Sequence, residues 1–544
     1  MFKNLSILFA AALVIALPFL FRQESDQTNW NPGDPELVVI SSHNEAIRWE
    51  FGKGFSDWHE EHHGSPVRVD WRVIGGTSET IRYLQSEMMS SYRGWWSGEG
   101  KDWPGDGAKV IYDYKTEPSR NSDLFKTLRS TDTPDAFGIK IDVFFGGGEY
   151  DHAKVAKQGI TVKPWDTAPA SITDAYPTGL SGESWRTDTL FGNALSTFGL
   201  CYNLDRLADL GIEQPPQTWK DLADPRYYRL LGTADPTKSG SITKAFEMII
   251  HQQVYDRVIA SGFSDAVIQS VEADGKDAPE GYQEAIATGW LDGIQLVQRI
   301  GANARYFTDS SSKVPIDVGA GDAAVGMCID FYGRFQSEFE KGQDGTQRLR
   351  YLTPAGGSSV SADPISLLRG APNRELGVLF LEYVLGSEGQ KMWCYKPGTP
   401  GGPQKFALRR LPVRQEFYTP GSEHAAHTSE DLTQDDINPY KMAESFEYRR
   451  NWTGRLFGLH RTLIRAMCLD SGDELRSTWG KIIKHGGPDA QPEAMKLLMR
   501  LPEGLDWNTA HDLDPENDLP DAQREWTTFF RKSYGEAAAA VEKK

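Results

Sequence analysis

The sequence predicts an α/β protein organised on parallel sheet, followed by an all-helical stretch. Three observations carry this reading. From Leu37 short apolar runs alternate with segments of helical spacing, the βαβα rhythm of a parallel sheet covered by helices. Several of those runs end in Gly or Ser directly before a helix. From about residue 416 the apolar positions keep helical spacing and the strand signal stops. A chain of 544 residues is too long for one ordinary core, so two or more domains are expected. With 39% hydrophobic and 25% charged residues the body is folded and soluble. A formal charge of −18 argues against nucleic acid as a partner, because phosphate binding needs a net basic face.

The elements follow in order. "ELVVI" is a strand, and the next helix shows Ile47, Phe51, Phe55 and Trp58 on one side until Gly64 stops it. "PVRVDWRVI" is the second strand, and "GGTSETIRYLQSEM" opens a helix with Thr77 or Ser78 as cap. Residues 88–136 break the rhythm; their Gly, Ser and Trp content reads as an inserted loop or flap. "IDVFFGGG", "TFGLCYNLDRL", "RLLGTADP", "ARYFTD" and "AAVGMCIDF" supply further strands, with helices such as "SITKAFEMIIHQQVYDRVI" between them. "VSADPISLL" precedes the helix "NRELGVLFLEYVLGSEGQKMW" and a Pro/Gly-rich turn.

Residues 1–22 form a signal peptide or signal-anchor, since Leu5 to Phe21 carry no charge, and 23–36 form a polar tether. Either way the body is exported: it is periplasmic or extracytoplasmic, anchored to the inner membrane if the segment is uncleaved. Cys201, Cys328, Cys394 and Cys468 contain no C-x-x-C pair; a Cys394–Cys468 disulfide and buried free thiols are both open.

Four strand ends could face a ligand: Ser41-Ser42-His43, Gly75-Gly76-Thr77-Ser78, Gly146-Gly147-Gly148 and Ser239-Gly240-Ser241. In an open parallel sheet the carboxyl ends of strands form the ligand crevice, glycine admits close approach, and helix N-termini hold anions. Asp330 and Tyr332 stand where the strand 323–329 leaves the core, at such an end. No nucleophile elbow, Walker loop or dinucleotide fingerprint accompanies them, which favours binding over catalysis. "HEEHH" at 59–63 matches the zincin pattern literally, but Gly64 and Pro66 end its helix at once and place it at a frayed, solvent-facing end.

The chain resembles the extracytoplasmic solute-binding proteins of ABC importers, in the group of ferric-ion, thiamine and phosphosugar binders. The resemblance runs from about Leu37 to Arg414, through "SSHNEA", "GGTSE", "IDVFFGGG", "GLCYNLDRL", "TWKDLADPRY", "TADPTKSGSI", "GDAAVGMCIDFYGR", "SADPISLLRGAPN" and "RRLPVR". It implies a two-lobed, type II periplasmic-binding-protein-like fold with a hinge. Lobe 1 would take 37–198 and 353–390, lobe 2 199–352, the closing segment 391–415, and a C-terminal helical extension 416–544. It implies a monomer that binds a small ligand and docks on a permease, with no cofactor and no catalytic residues.

Carried over motif by motif, the ligand set comprises Ser41, Ser42, His43, Thr77, Ser78, Gly146 and Gly147 from lobe 1. Lobe 2 adds Ser239, Gly240, Ser241, Asp309, Ser310, Asp330 and Tyr332. His43 and Tyr332 match half of the family's ferric ligands. Gly146 to Gly148 stand where its glutamate is expected, and Phe331 replaces one of its two tyrosines. The implied ligand is therefore an anionic or phosphorylated organic molecule, with ferric iron as an alternative. Two other readings stand beside it: a membrane-anchored sensor or accessory subunit, and a zinc peptidase using "HEEHH".

Overall fold

The computed structural model describes residues 30–130, 136–342, 345–513 and 518–542. The signal or anchor segment 1–22 lies outside the described residues, as do residues 23–29 of the tether. No helix among the described residues is long and apolar enough to cross a membrane.

Two sheets organise the chain. β1 (Glu36–Ser41) pairs in parallel with β2 (Arg68–Arg72) and β3 (Val143–Phe145). β4 (Thr161–Val162) and the hairpin of β5 (Gly179–Leu180) and β6 (Glu183–Ser184) are short, and β7 (Phe191–Ser196) is fully buried. A second sheet holds β8 (Phe198–Asn203), β9 (Leu231–Ala234), β10 (Ala304–Thr308), β11 (Val325–Ile329) and β12 (Leu349–Leu352). The chain then returns to the first sheet with β13 (Ser361–Leu368) and β14 (Leu411–Pro412). The strand orders are β14-β7-β13-β3-β1-β2 and β10-β9-β11-β8-β12. Both faces of β1 are covered: Leu37 and Val39 join one apolar cluster and Ile40 another. That is why its sequence is a continuous apolar run, as in a strand buried between helical layers.

The result is two lobes. One residue, Thr197, separates β7 in lobe 1 from β8 in lobe 2, and residues 353–360 lead back. A third crossing lies in the C-terminal part, because Ala443 packs in the lobe 1 cluster and Phe446 in that of lobe 2.

Three regions depart from the sequence reading or decide what it left open. The stretch 88–136, expected as loop or flap, is largely helical where described. The helix Thr77–Gly98 runs through it, followed by Gly107–Tyr112, Glu117–Asn121 and Asp123–Arg129. Its apolar residues supply core: Tyr92, Trp96, Leu124 and Leu128 bury themselves against Ile40, Phe144 and Leu368, on the outer face of the first sheet. The four cysteines are free and buried. Cys394 belongs to the lobe 1 core and Cys468 to the lobe 2 core, so they cannot pair. The residues beyond 446 are helical as expected, but they complete lobe 2. Trp452, Leu463, Ile464 and Trp479 pack with Ile249, Trp290, Ile294 and Val297 in one cluster. Trp479 Nε1 donates to Asn303 Oδ1 at 2.8 Å, and Asn303 in turn donates to the carbonyls of Leu222 and Asp224.

Trp479→Ala is therefore expected to cost about 3–5 kcal/mol of stability, as for a large side chain removed from a core. Urea unfolding followed by far-UV circular dichroism checks this. A loss under about 1 kcal/mol would show that the C-terminal helices are an appendage.

Candidate functional site

A cavity of about 460 Å³ lies between the lobes, with a third wall from the C-terminal segment. Its lobe 1 side begins where β1 ends. Ser41 is buried, and its Oγ accepts from the His43 N–H at 3.1 Å. Asn44 then caps the helix Glu45–His63 by accepting from the Ile47 N–H. This tight turn directs His43 into the cavity wall, edge-on to Phe145 with ring centroids 4.5 Å apart. Gly146 closes over the imidazole: its φ is +89°, and a Cβ there would lie 2.6 Å from His43 Cε1. Only glycine fits.

Three long or medium helices start at the cavity: Thr77–Gly98, Glu149–Lys157 and Gly240–Ala260. The first two are capped by Gly76 and Gly148, which offer no side-chain acceptor. The third is capped by Ser239, whose Oγ is shared with Ser241 Oγ at 3.2 Å. Ser241 Oγ also lies 2.8 Å from Ser311 Oγ, and Thr77 Oγ1 donates to Ser42 Oγ at 3.3 Å. Hydroxyls and helix N-termini thus converge from both lobes.

The charges on the walls are largely paired. Arg410, 1% exposed, reaches Asp363 Oδ2 at 2.5 Å through Nη1 and donates to Ser196 Oγ at 3.0 Å through Nη2. Its guanidinium lies over the Phe331 ring, 4.2 Å from the centroid. His43 Nε2 is 3.2 Å from Asp363 Oδ2 and 3.3 Å from Arg410 Nη1. Burial alone would raise the Asp363 pKa; Arg410 and His43 outweigh it and hold the carboxylate well below its usual range. Burial lowers the His43 pKa, although Asp363 opposes the shift. Across the cavity Lys244 Nζ is 3.0 Å from both Glu183 Oε1 and Glu247 Oε2. Burial disfavours the ammonium, but the two carboxylates outweigh it and raise its pKa. Tyr448 donates to Glu247 Oε1 at 2.6 Å and lays its ring under Lys244.

The structure brings ten of the fourteen sequence candidates to the wall: Ser42, His43, Thr77 and Gly147 from lobe 1, and Ser239, Gly240, Ser241, Asp309, Ser310 and Tyr332 from lobe 2. Four stand elsewhere. Ser41 and Gly146 lie behind His43 and shape it. Ser78 Oγ accepts from Arg461 of the C-terminal segment, which also donates to the Pro236 and Thr237 carbonyls and so joins the two lobes. Asp330 is fully buried and faces Arg334, whose Nη2 donates to it at 2.7 Å. Tyr332 packs on Phe331 with centroids 4.1 Å apart, and burial pushes its hydroxyl up to about 12.

Sequence reading missed Arg410, Asp363, Lys244, Glu247 and Tyr448. Arg410 lay inside the quoted "RRLPVR"; its signal was a charged doublet entering an apolar strand. Arg409 has φ +52°, and this left-handed turn aims Arg410 inward just before β14. Tyr448 carried no local signal, because only the third crossing brings it to the cavity. "HEEHH" has other partners: His59 is buried with Nδ1 2.7 Å from the Ser65 carbonyl, so this end is not frayed, and His62 Nδ1 contacts the Trp58 carbonyl. The described residues hold no group of three His, Cys, Asp or Glu arranged for a metal.

Two lobes, two sheets and a cleft lined by helix N-termini define a two-lobed solute-binding protein. The chain belongs to the bacterial extracellular solute-binding proteins, whose family model matches residues 134–428. That is the resemblance its motifs carried. A Haemophilus influenzae protein, itself uncharacterized, is 24% identical over 291 residues, 53% of this chain and 69% of its own length. Among solved structures, the periplasmic binding protein AfuA of Actinobacillus pleuropneumoniae, with fructose-6-phosphate bound, is 16% identical. The alignment covers 83% of this chain and 99% of that one, with a TM-score of 0.46. The ferric binding protein of Campylobacter jejuni is 13% identical over 75% and 95% of the two chains, with a TM-score of 0.39.

Two predictions follow from these contacts. Arg410→Leu leaves Asp363 buried without its main counter-charge and is expected to cost about 3–5 kcal/mol in urea unfolding; an unchanged midpoint contradicts the pairing. Burial lowers His152 and His460 to about 4 from the ordinary 6.5. As pH falls below that ordinary value the unfolded chain takes up protons that the folded chain refuses. Stability should therefore fall by about 1.4 kcal/mol per pH unit for each group, until near pH 4 the folded chain protonates too. Urea midpoints measured across that window test it, and a flat profile contradicts it.

Proposed function

We propose that the protein captures a small phosphorylated or otherwise anionic organic solute in the cleft and delivers it, as a monomer, to the permease of an ABC importer. The observation that supports this most is the meeting of three helix N-termini and the Ser239–Ser241–Ser311 hydroxyls at one cavity. Because Lys238, Lys244 and Arg410 are already balanced by carboxylates, neutral N–H and O–H donors would hold the anion together with Arg450, which makes no ion pair among the described residues. Glu149, Glu183 and Tyr448 stand along the same walls and suit the hydroxyls or amines of the remainder of the ligand. The lobes would open and close about the crossings at Thr197 and 353–360.

The same geometry speaks against ferric iron. Arg410 stands 3.3 Å from His43 Nε2 and covers Phe331, next to Tyr332. A trivalent cation between His43 and Tyr332 would face that resident guanidinium at close range.

A thermal-shift screen over sugar phosphates, thiamine phosphate, polyamines and ferric citrate tests the reading. A phosphorylated compound at a hundredfold its Kd should stabilise the fold by about 2.7 kcal/mol. Ser239→Ala/Ser241→Ala should weaken that ligand about tenfold, the loss of one good hydrogen bond to a charged group. A shift with ferric citrate alone, or with polyamines alone, overturns the proposal.

A further inference from the structure

Two parts of the chain, lying mostly outside the family-matched residues 134–428, face each other across a second recess, of about 1060 Å³. One side is formed by the helices Thr77–Gly98, Gly107–Tyr112 and Glu149–Lys157, with the turn at 113–116; the other by residues 450–462 and by Trp507, Ala510 and His511. In a chain of formal charge −18, eight lysines and arginines line this recess against two aspartates among the described residues.

Four of the cations have partners of their own, Lys115 and Lys154 among them. Arg82 pairs with Glu79 at 2.8 Å, and Arg461 donates to Pro236, Thr237 and Ser78. The other four are Lys109, Lys157, Arg450 and Arg455. Lys109, Arg450 and Arg455 are exposed and make no ion pair among the described residues.

The two aspartates offset only part of this charge. Asp113 turns onto its own loop, where it accepts from the N–H groups of Lys115 and Thr116 and from the hydroxyls of Thr116 and Ser119. Asp151 is buried, and Arg461 and Lys154 oppose the rise that burial gives its pKa. Like charges gathered on a concave wall repel one another and focus the field outward, so the arrangement favours a multivalent anion. Tyr114, Tyr150 and Trp507 add flat aromatic surface between the cations.

We propose that this recess is a second binding site, for an organic polyanion carrying two or more phosphate or carboxylate groups. It shares Tyr150, Asp151, Arg450 and Gly454 with the inner cleft, while Lys109, Lys157 and Arg455 line the recess alone. Its concave shape suits a small molecule rather than a flat anionic membrane. The site is additional to the cleft of the proposed function, and either reading can fail alone.

Calorimetric titration of the whole protein with inorganic tripolyphosphate, at low salt, tests the site. Tripolyphosphate should bind at one site, more tightly than orthophosphate, and more weakly as salt rises. Lys109→Glu/Lys157→Glu/Arg455→Glu reverses three exposed cations and should weaken binding by about tenfold or more, since each exposed charge contributes modestly. The three single variants should each lose part of that affinity, which keeps the test independent of how the triple variant folds. Ser239→Ala/Ser241→Ala, in the inner cleft, should leave tripolyphosphate binding unchanged. The proposal is overturned if the wild type does not bind tripolyphosphate. It is equally overturned if binding survives the charge reversals but is lost in the serine variant, or if only vesicles of anionic phospholipid bind.

Discussion

The cleft depends on one buried charge. Arg410 has lost almost all contact with water, and a guanidinium in that position must be paired or the fold is penalised heavily. Asp363 supplies the counter-charge, Ser196 and the Phe331 ring take the remaining faces, and His43 completes the group. These partners come from the end of β1, from β7 and β13, and from the helix after β11. Satisfying Arg410 therefore fixes where the closing segment, the lobe 1 sheet and one wall of lobe 2 meet. The same pairing makes the cavity close to neutral around Arg410, where the donors left are helix N–H groups and hydroxyls.

The C-terminal segment extends this logic across both lobes. It leaves the lobe 1 core near Ala443, enters the lobe 2 core at Phe446, and contributes Tyr448, Arg450 and Phe457 to the cleft on the way. Its Trp452 and Trp479 are fully buried, so lobe 2 without it would expose a large apolar face. A third crossing also ties the lobes more closely than two strands would. Arg461, bonded at once to Pro236, Thr237 and Ser78, spans the mouth on that side.

Much of the fold was legible because its signals are local. The apolar run of β1, the stop at Gly64 (φ +81°) and the serine cap at Ser239 each depend on residues within a few positions. The glycine-rich strand ends were legible for the same reason, since Gly146 and Gly147 answer to φ values of +89° and +108°. What could not be read was long-range. Asp330 looked like a cleft acid, but Arg334 four residues on turns it into the interior. Asp363 carries no local signal of a site residue, and only Arg410, 47 positions away, makes it part of the site. The tryptophans of 88–136 suggested a flap by composition, although Tyr92 and Trp96 sit one helical turn apart and face a core. His59 looked frayed until the Ser65 carbonyl supplied a partner.

The central claim is that Arg410 and Asp363 leave the cleft for an organic anion and not for a metal ion. The most direct test equilibrates the protein with sugar phosphates and ferric citrate together, removes free solute, and measures phosphorus and iron per chain. Stoichiometric phosphorus with iron at background is the predicted result. Stoichiometric iron with phosphorus at background would contradict it.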